Sequence, residues 1–112
     1  MLKLPYPAKE LNPNRRSHWA VTAKHKKVAR EQAFYLTKMA KVELIGTGAI
    51  DLHITFMPPD KRGRDMDNML ASCKSMIDGI ADALGVNDKR FRYHLAIGEV
   101  IKGGLVQIEV CG

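Results

Sequence analysis

The segment Lys61-Arg62-Gly63-Arg64-Asp65-Met66-Asp67-Asn68 sets two carboxylates, one residue apart, directly behind three basic side chains. An Asp pair can hold a hard divalent cation through oxygen ligands. Flanking Lys and Arg can hold a phosphate backbone beside that cation. A metal next to a captured phosphodiester is the minimum equipment for phosphodiester hydrolysis. A helix cap also explains an acid here, because Asp67 or Asn68 near a helix start would complement its exposed N–H groups and dipole. A cap needs one acid, however, and Asp65 supplies a second at the loop edge.

On an unbroken helix Lys74 lies nearly above Asp67, roughly 10 Å along the axis, with the small Ala71 between them. An Asp and a Lys bracketing open space suit a phosphate with a metal at one end and an ammonium at the other. The plainer reading is an exposed Lys among polar neighbours such as Asp78. Magnesium keeps waters and takes few protein oxygens, so one more carboxylate is desirable. Asp88, in Gly85-Val86-Asn87-Asp88-Lys89-Arg90, is the candidate, in a turn that can fold back, although Asp is also an ordinary turn residue. The expected ligand set is therefore Asp65, Asp67 and Asp88 around magnesium, with manganese as a substitute. Lys74 would contact the phosphate, and Asn68 would orient a ligand from behind.

The basic residues form two groups. Arg15, Arg16, Lys24, Lys26, Lys27 and Arg30 lie on or before a first helix, while Lys61, Arg62, Arg64, Lys89, Arg90 and Arg92 surround the acids. The candidate DNA contacts among them are Arg15, Arg16, Lys24, Lys27, Lys61, Arg62, Arg64, Lys89 and Arg90. His18, His25, His53 and His94 show no ligand spacing, and there is no Gly-rich phosphate loop. Trp19 could stack a base, but packing at the helix start is the simpler expectation.

The elements that must position these groups are readable from periodicity. Met1 to Tyr6 alternates weakly, an edge strand stopped at Pro7. Pro7 to Ser17 is a loop. Ser17 to Val42 lacks Gly and Pro, and Val28, Gln32, Tyr35 and Met39 recur at helical spacing behind Ser17 as N-cap. Ala49 to Met57 alternates as a half-buried strand, with Ile50, Leu52, Ile54 and Phe56 inward, and Pro58-Pro59 ends it. Met66, Met69 or Leu70, Cys73, Ile77, Ile80 and Leu84 trace one helical stripe closed by Gly85. Phe91 to Ile101 and Leu105 to Val110 are strands joined by a tight Lys102-Gly103-Gly104 turn. The order β-α-β-α-β-β predicts an α+β (mixed α/β) fold, a small mixed sheet of about four strands covered by two helices.

At 112 residues the chain is one domain, 1–112. Its 46% hydrophobic share supports a core, and a small domain makes a dimer plausible. The formal charge of +6 favours a polyanionic partner. Cys73 and Cys111 fit no zinc spacing or disulfide framework, and Cys73 falls in an apolar stripe as a buried thiol. No run approaches the ~18 apolar residues of a membrane span. The first residues are too short and polar for a signal peptide. A cytoplasmic protein is expected.

The run Met57-Pro58-Pro59-Asp60-Lys61-Arg62-Gly63-Arg64-Asp65-Met66-Asp67-Asn68, with Lys74, Asp78-Gly79 and Asn87-Asp88, resembles the RusA-type Holliday junction resolvases of bacteria and their prophages. Leu4-Pro5-Tyr6-Pro7 and Asn12-Pro13-Asn14 are similar to the family's opening. The resemblance implies a homodimeric, magnesium-dependent endonuclease that resolves four-way DNA junctions by paired nicks, with metal-site aspartates at Asp65, Asp67 and Asp88. The family's lysine, six residues after the first Asp in its best-known form, falls on Ala71 here, and Lys74 stands one turn later. The rival expectations are a non-catalytic basic nucleic-acid-binding module, a nuclease for other branched DNA or structured RNA, and an interaction protein using its apolar stripes.

Overall fold

Alternation fixes the central strand. β2 (Ile50–Met57) turns Ile50, Leu52, Ile54 and Phe56 to one side, where all four are buried, and Asp51, His53 and Thr55 to the other. β4 (Leu105–Cys111) runs antiparallel to β2 and adds Val106 and Ile108 to the buried side. β1 (Leu2–Leu4) pairs antiparallel with β4 at one edge, and β3 (Phe91–Ile97) pairs in parallel with β2 at the other. The sheet order is β1-β4-β2-β3, so the fold is α+β with a mixed four-stranded sheet, as expected. The computed structural model describes residues 1–15 and 18–112; Arg16, expected at DNA, and Ser17, expected as a helix cap, lie outside the described residues.

Among the described residues three α-helices, not two, pack on the buried side of the sheet: α1 (Trp19–Met39), α2 (Met66–Ser72) and α3 (Lys74–Leu84). The expected second helix breaks at Cys73 without Gly or Pro. The Ser72 hydroxyl donates to Asn68 O at 2.8 Å, a back-bond that bends helices. Cys73 N–H then donates to Leu70 O at 3.0 Å, one residue short of the α-helical partner. Cys73 itself is buried in the core, and burial pushes its thiol up to about 12.

Two further expectations are corrected. β3 and β4 do not form a hairpin, because β4 inserts between β1 and β2. The Gly103-Gly104 turn is present, with φ of 82° and 73°, and β3 ends at Ile97 rather than Ile101. On α1 the face turned to the core is Ala33 and Thr37, flanked by Ala29 and Leu36; Val28, Gln32, Tyr35 and Met39 are exposed. Trp19 is exposed as well, stacked on His18 with ring centroids 5.7 Å apart, and does not pack into the helix start. His18, whose ring accepts from Ala20 N–H, caps the helix.

Each fully buried Ile, Leu or Phe in this layer contributes roughly 1.5–3 kcal/mol. Gly104 closes the layer at one corner. A Cβ there would sit 2.7 Å from both Cβ and Cγ of Tyr6, and its φ lies in the left-handed region. Gly104→Ala should therefore destabilise the fold by about 2 kcal/mol, read as a lower urea midpoint at unchanged m-value; an unchanged midpoint would show that Tyr6 moves aside freely.

Candidate functional site

The loop between β2 and α2 is built around Asp60. Its Oδ1 accepts from the Arg62 backbone N–H at 3.0 Å and from Arg64 Nη2 at 2.9 Å. Arg64 Nη1 also donates to Asp60 O and Arg62 O, at 3.0 and 2.9 Å. The Arg64 side chain is only 17% exposed and lies over the Tyr6 ring. Its guanidinium staples the loop. Arg62 pairs with the same carboxylate from a more exposed position. The Asp60 carboxyl is held at about 2, first by the Arg62 N–H and then by the two guanidinium groups. A depressed carboxyl contributes stability above its unfolded value, near ~3.9, and loses that contribution as pH falls through the folded value. Asp60→Asn should therefore flatten the decline in urea stability between about pH 4 and pH 2; a decline parallel to wild type would remove the staple from the argument.

This loop delivers Asp65 to the start of α2 as its N-cap. Asp65 Oδ1 accepts from the Asp67 N–H at 2.9 Å. The expected cap at Asp67 or Asn68 is thus replaced by Asp65, and the two aspartates diverge. Asp65 and Asn68 line a smaller groove with Tyr6, Arg62 and Arg64. Asp67, in the first turn, lines a larger one.

That larger groove holds about 1110 Å³ and gathers residues distant in the chain. Lys74, the first residue of α3, donates through Nζ to Asp78 Oδ1 at 2.6 Å and to Asp88 Oδ2 at 2.5 Å. Asp88 reaches it because Gly85, in left-handed conformation with φ 67°, stops α3 and turns the chain back. Asn87 then caps the short turn Asp88–Arg90 by accepting from Lys89 N–H. The two carboxylates raise the Lys74 pKa, Asp78 most and then Asp88, and Lys74 in turn lowers that of Asp88. Arg15, Lys26, Lys27 and Arg30, from α1 and the segment before it, line the same groove. Arg30 is tied to Asp82 at 2.6 and 2.9 Å.

The groove therefore unites Asp67, Lys74 and Asp88 with Arg15 and Lys27, and leaves Asp65 in its neighbour. Lys24, Lys61 and Lys89 are exposed but outside the groove lining. Arg90 is used structurally, donating to Gly48 O and Gly46 O at 3.0 Å each. Arg92 does not surround the acids; it grips Asp51 at 2.9 and 3.0 Å on the outer side of the sheet, where His53 stacks on His94. Asp78, Lys26, Arg30 and Tyr93 also line the groove and were not picked out as site residues. Asp78 was legible, since it stands four residues after Lys74, the spacing of a helical ion pair.

Among the described residues no three His, Cys, Asp or Glu side chains converge closely enough to cage a metal. The donor chemistry of the large groove nonetheless fits magnesium in its partly hydrated mode, which needs one or two carboxylates with the remaining positions filled by water and phosphate. Asp67 and Asp88 both line that groove, with Asp78 a further carboxylate beside Lys74.

No family model matches the chain. It is 44% identical over 115 residues to an uncharacterized protein of Xylella fastidiosa (strain Temecula1 / ATCC 700964), an alignment spanning 99% of this chain and 75% of that protein. The chain belongs to that protein's family. Among the described residues no helix is long and apolar enough to cross a membrane.

Proposed function

We propose that the chain is a magnesium-dependent endonuclease of the RusA type, acting in the cytoplasm as a homodimer on four-way DNA junctions and cutting them by paired symmetrical nicks. The observation that carries this reading is the shared groove, lined by Asp67, Lys74 and Asp88 from α2, α3 and the turn after it and by Arg15, Lys26 and Lys27 from α1 and the segment before it. Acids alone repel DNA, and cations alone only bind it. Together they hold a phosphodiester against two carboxylates.

Asp67 and Asp88 would hold magnesium, or manganese in its place; when bound, the ion supplies Lewis-acid polarisation of a phosphate and a more acidic water. Lys74 is within bonding reach of Asp88 and, released from it, offers its ammonium to the negative charge that grows on the phosphate. Arg15, Lys26 and Lys27 bind the flanking backbone without reading sequence, which makes affinity steeply salt-dependent. Asp65 acts by fixing the first turn of α2 and so the direction of Asp67. Asn68 lines the smaller groove beside Asp65. Two copies related by a dyad match two strands of opposed polarity.

The test is a labelled four-way junction incubated with magnesium, with linear duplex and a flap as competitors. The expected result is symmetrical nicks, absent with a chelator. Faster cutting of duplex or flap would move the substrate to another branched or linear DNA. A specific observation favours the rival of a non-catalytic binding module: Lys74 already neutralises Asp78 and Asp88. That rival predicts junction binding of equal strength with and without magnesium, and no nicks.

A further inference from the structure

Trp19, the chain's single tryptophan, is 77% exposed at the first residue of α1. Its ring lies in an offset stack on that of His18, with 5.7 Å between centroids and 30° between planes. His18 is itself held, because its Nδ1 accepts from the Ala20 N–H at 3.2 Å. The indole is thus backed by a fixed ring while most of it stays open to solvent. A lone surface apolar residue needs no explanation, but two observations set Trp19 apart.

The first is its place on the helix. At 100° per residue Trp19, Lys26 and Arg30 fall within about 40° of arc, and both cations line the large groove. Toward the C-terminus the same side of α1 carries Ala33 and Thr37, which are buried. The side that packs into the core at one end therefore leaves it at the other and lines the groove as Arg30, Lys26 and Thr22. Trp19 stands one turn further out. Val21 and Val28 lie on the opposite side of the helix, roughly 180–200° round, so Trp19 does not belong with those exposed apolar residues.

The second observation is charge. From Trp19 to Arg30 the helix carries Lys24, Lys26, Lys27 and Arg30 and no Asp or Glu. Arg15, four residues before Trp19, lines the groove as well. A flat π-face at the head of a run of cations matches a polymer in which every phosphate comes with a base that can stack. The spacing agrees: two helical turns, roughly 10 Å, separate Trp19 from Lys26, about three base steps of a stacked strand.

We infer that Trp19, backed by His18, is a stacking platform for an unpaired nucleobase of the strand whose phosphates lie along Arg15, Lys26 and Lys27. Inside a duplex both faces of a base are covered by its neighbours, so the platform accepts a base released at an end, a gap or a branch. The preferred substrate class is therefore DNA with locally unstacked bases. The inference rests on the proposed function for what fills the groove, but it concerns a contact apart from the carboxylates.

The lone tryptophan is its own reporter. The full chain is titrated, with a chelator present so that nothing is cut, with a thymidine oligonucleotide, a duplex of equal length and a four-way junction. Stacking should quench the emission with the single strand and the junction, and not with the duplex. Trp19→Ala should weaken binding of the first two about tenfold, and Trp19→Phe should recover most of that loss. The slope of log affinity against log salt should stay as in wild type, since no phosphate contact is removed. An oligonucleotide of abasic residues should bind wild type about tenfold more weakly and lose nothing further with Trp19→Ala. Unquenched emission from a protein that binds these DNAs, or wild-type affinity in Trp19→Ala, overturns the inference and leaves the nuclease reading standing. Equal quenching by duplex overturns the requirement for an unpaired base. A blue shift on vesicles of anionic phospholipid, with no response to DNA, makes Trp19 a membrane contact and overturns the inference together with the nuclease reading.

Discussion

Asp67→Asn should slow junction nicking on the order of a hundredfold or more and leave junction affinity within about twofold. The substitution keeps the shape of the side chain and removes its charge. Asp67 is exposed in the first turn of α2 and has no side-chain hydrogen-bond partner among the described residues, so the fold loses nothing. One fewer negative charge beside DNA does not weaken binding. Asp65→Asn is the paired control. Asn caps a helix about as well as Asp, so the bond to the Asp67 N–H survives and most of the rate should survive with it. Asp65→Ala loses the cap and about 1 kcal/mol of stability. Single-turnover cutting with magnesium, and gel-shift affinity without it, give both numbers. Equal cutting by wild type and Asp67→Asn would end the role assigned to Asp67. Loss of cutting in Asp65→Asn at full stability would make Asp65 a ligand and not a cap.

Gly79→Ala should lower the melting temperature by about 10–20 °C, the counterpart of roughly 2–3 kcal/mol. Two effects compete. Helix propensity favours Ala over Gly by about 1 kcal/mol. Against it, α1 crosses α3 so closely that a Cβ on Gly79 would lie 2.2 Å from Arg30 O and 3.0 Å from Ala33 Cβ. The nearer atom is backbone, so no rotamer relieves the contact and the helices must part. Parting them moves the wall that carries Lys26, Lys27 and Arg30, and junction affinity should fall along with stability. Thermal melts by circular dichroism decide the sign; a melting temperature at or above wild type would mean that propensity wins and the crossing is soft.

The sequence was most legible where burial follows simple alternation. Ile50, Leu52, Ile54 and Phe56 are all essentially inaccessible to solvent, as a period of two requires. It misled on α1, because the side against α3 is made of small residues, Ala29 and Ala33, that any ranking by hydrophobicity places below Val28, Tyr35 and Met39. Close helix approach selects small side chains, and that preference cannot be seen without the partner Gly79. The Gly103-Gly104 signal correctly marked a turn but said nothing of strand partners, which are set by which neighbour completes the core. In the candidate site, Lys74, Asp67 and Asp88 were found by residue type and spacing, and they do line one groove. The separation of Asp65 was not foreseen, since it follows from a hydrogen bond at a helix start. Nor were the tasks of Arg64 and Arg90, because a guanidinium that bonds carbonyls is indistinguishable in sequence from one that awaits a phosphate.

The two cysteines differ in a way that makes the native chain its own reporter. Cys111 lies exposed at the end of β4, while Cys73 is sealed between α2 and α3. A thiol whose ionisation is pushed to about 12 holds almost no thiolate near neutral pH, so alkylating reagents should modify the first cysteine quickly and the second only through global opening. Mass spectrometry of doubly tagged molecules would then count excursions of the folded state under working conditions, with no engineered probe.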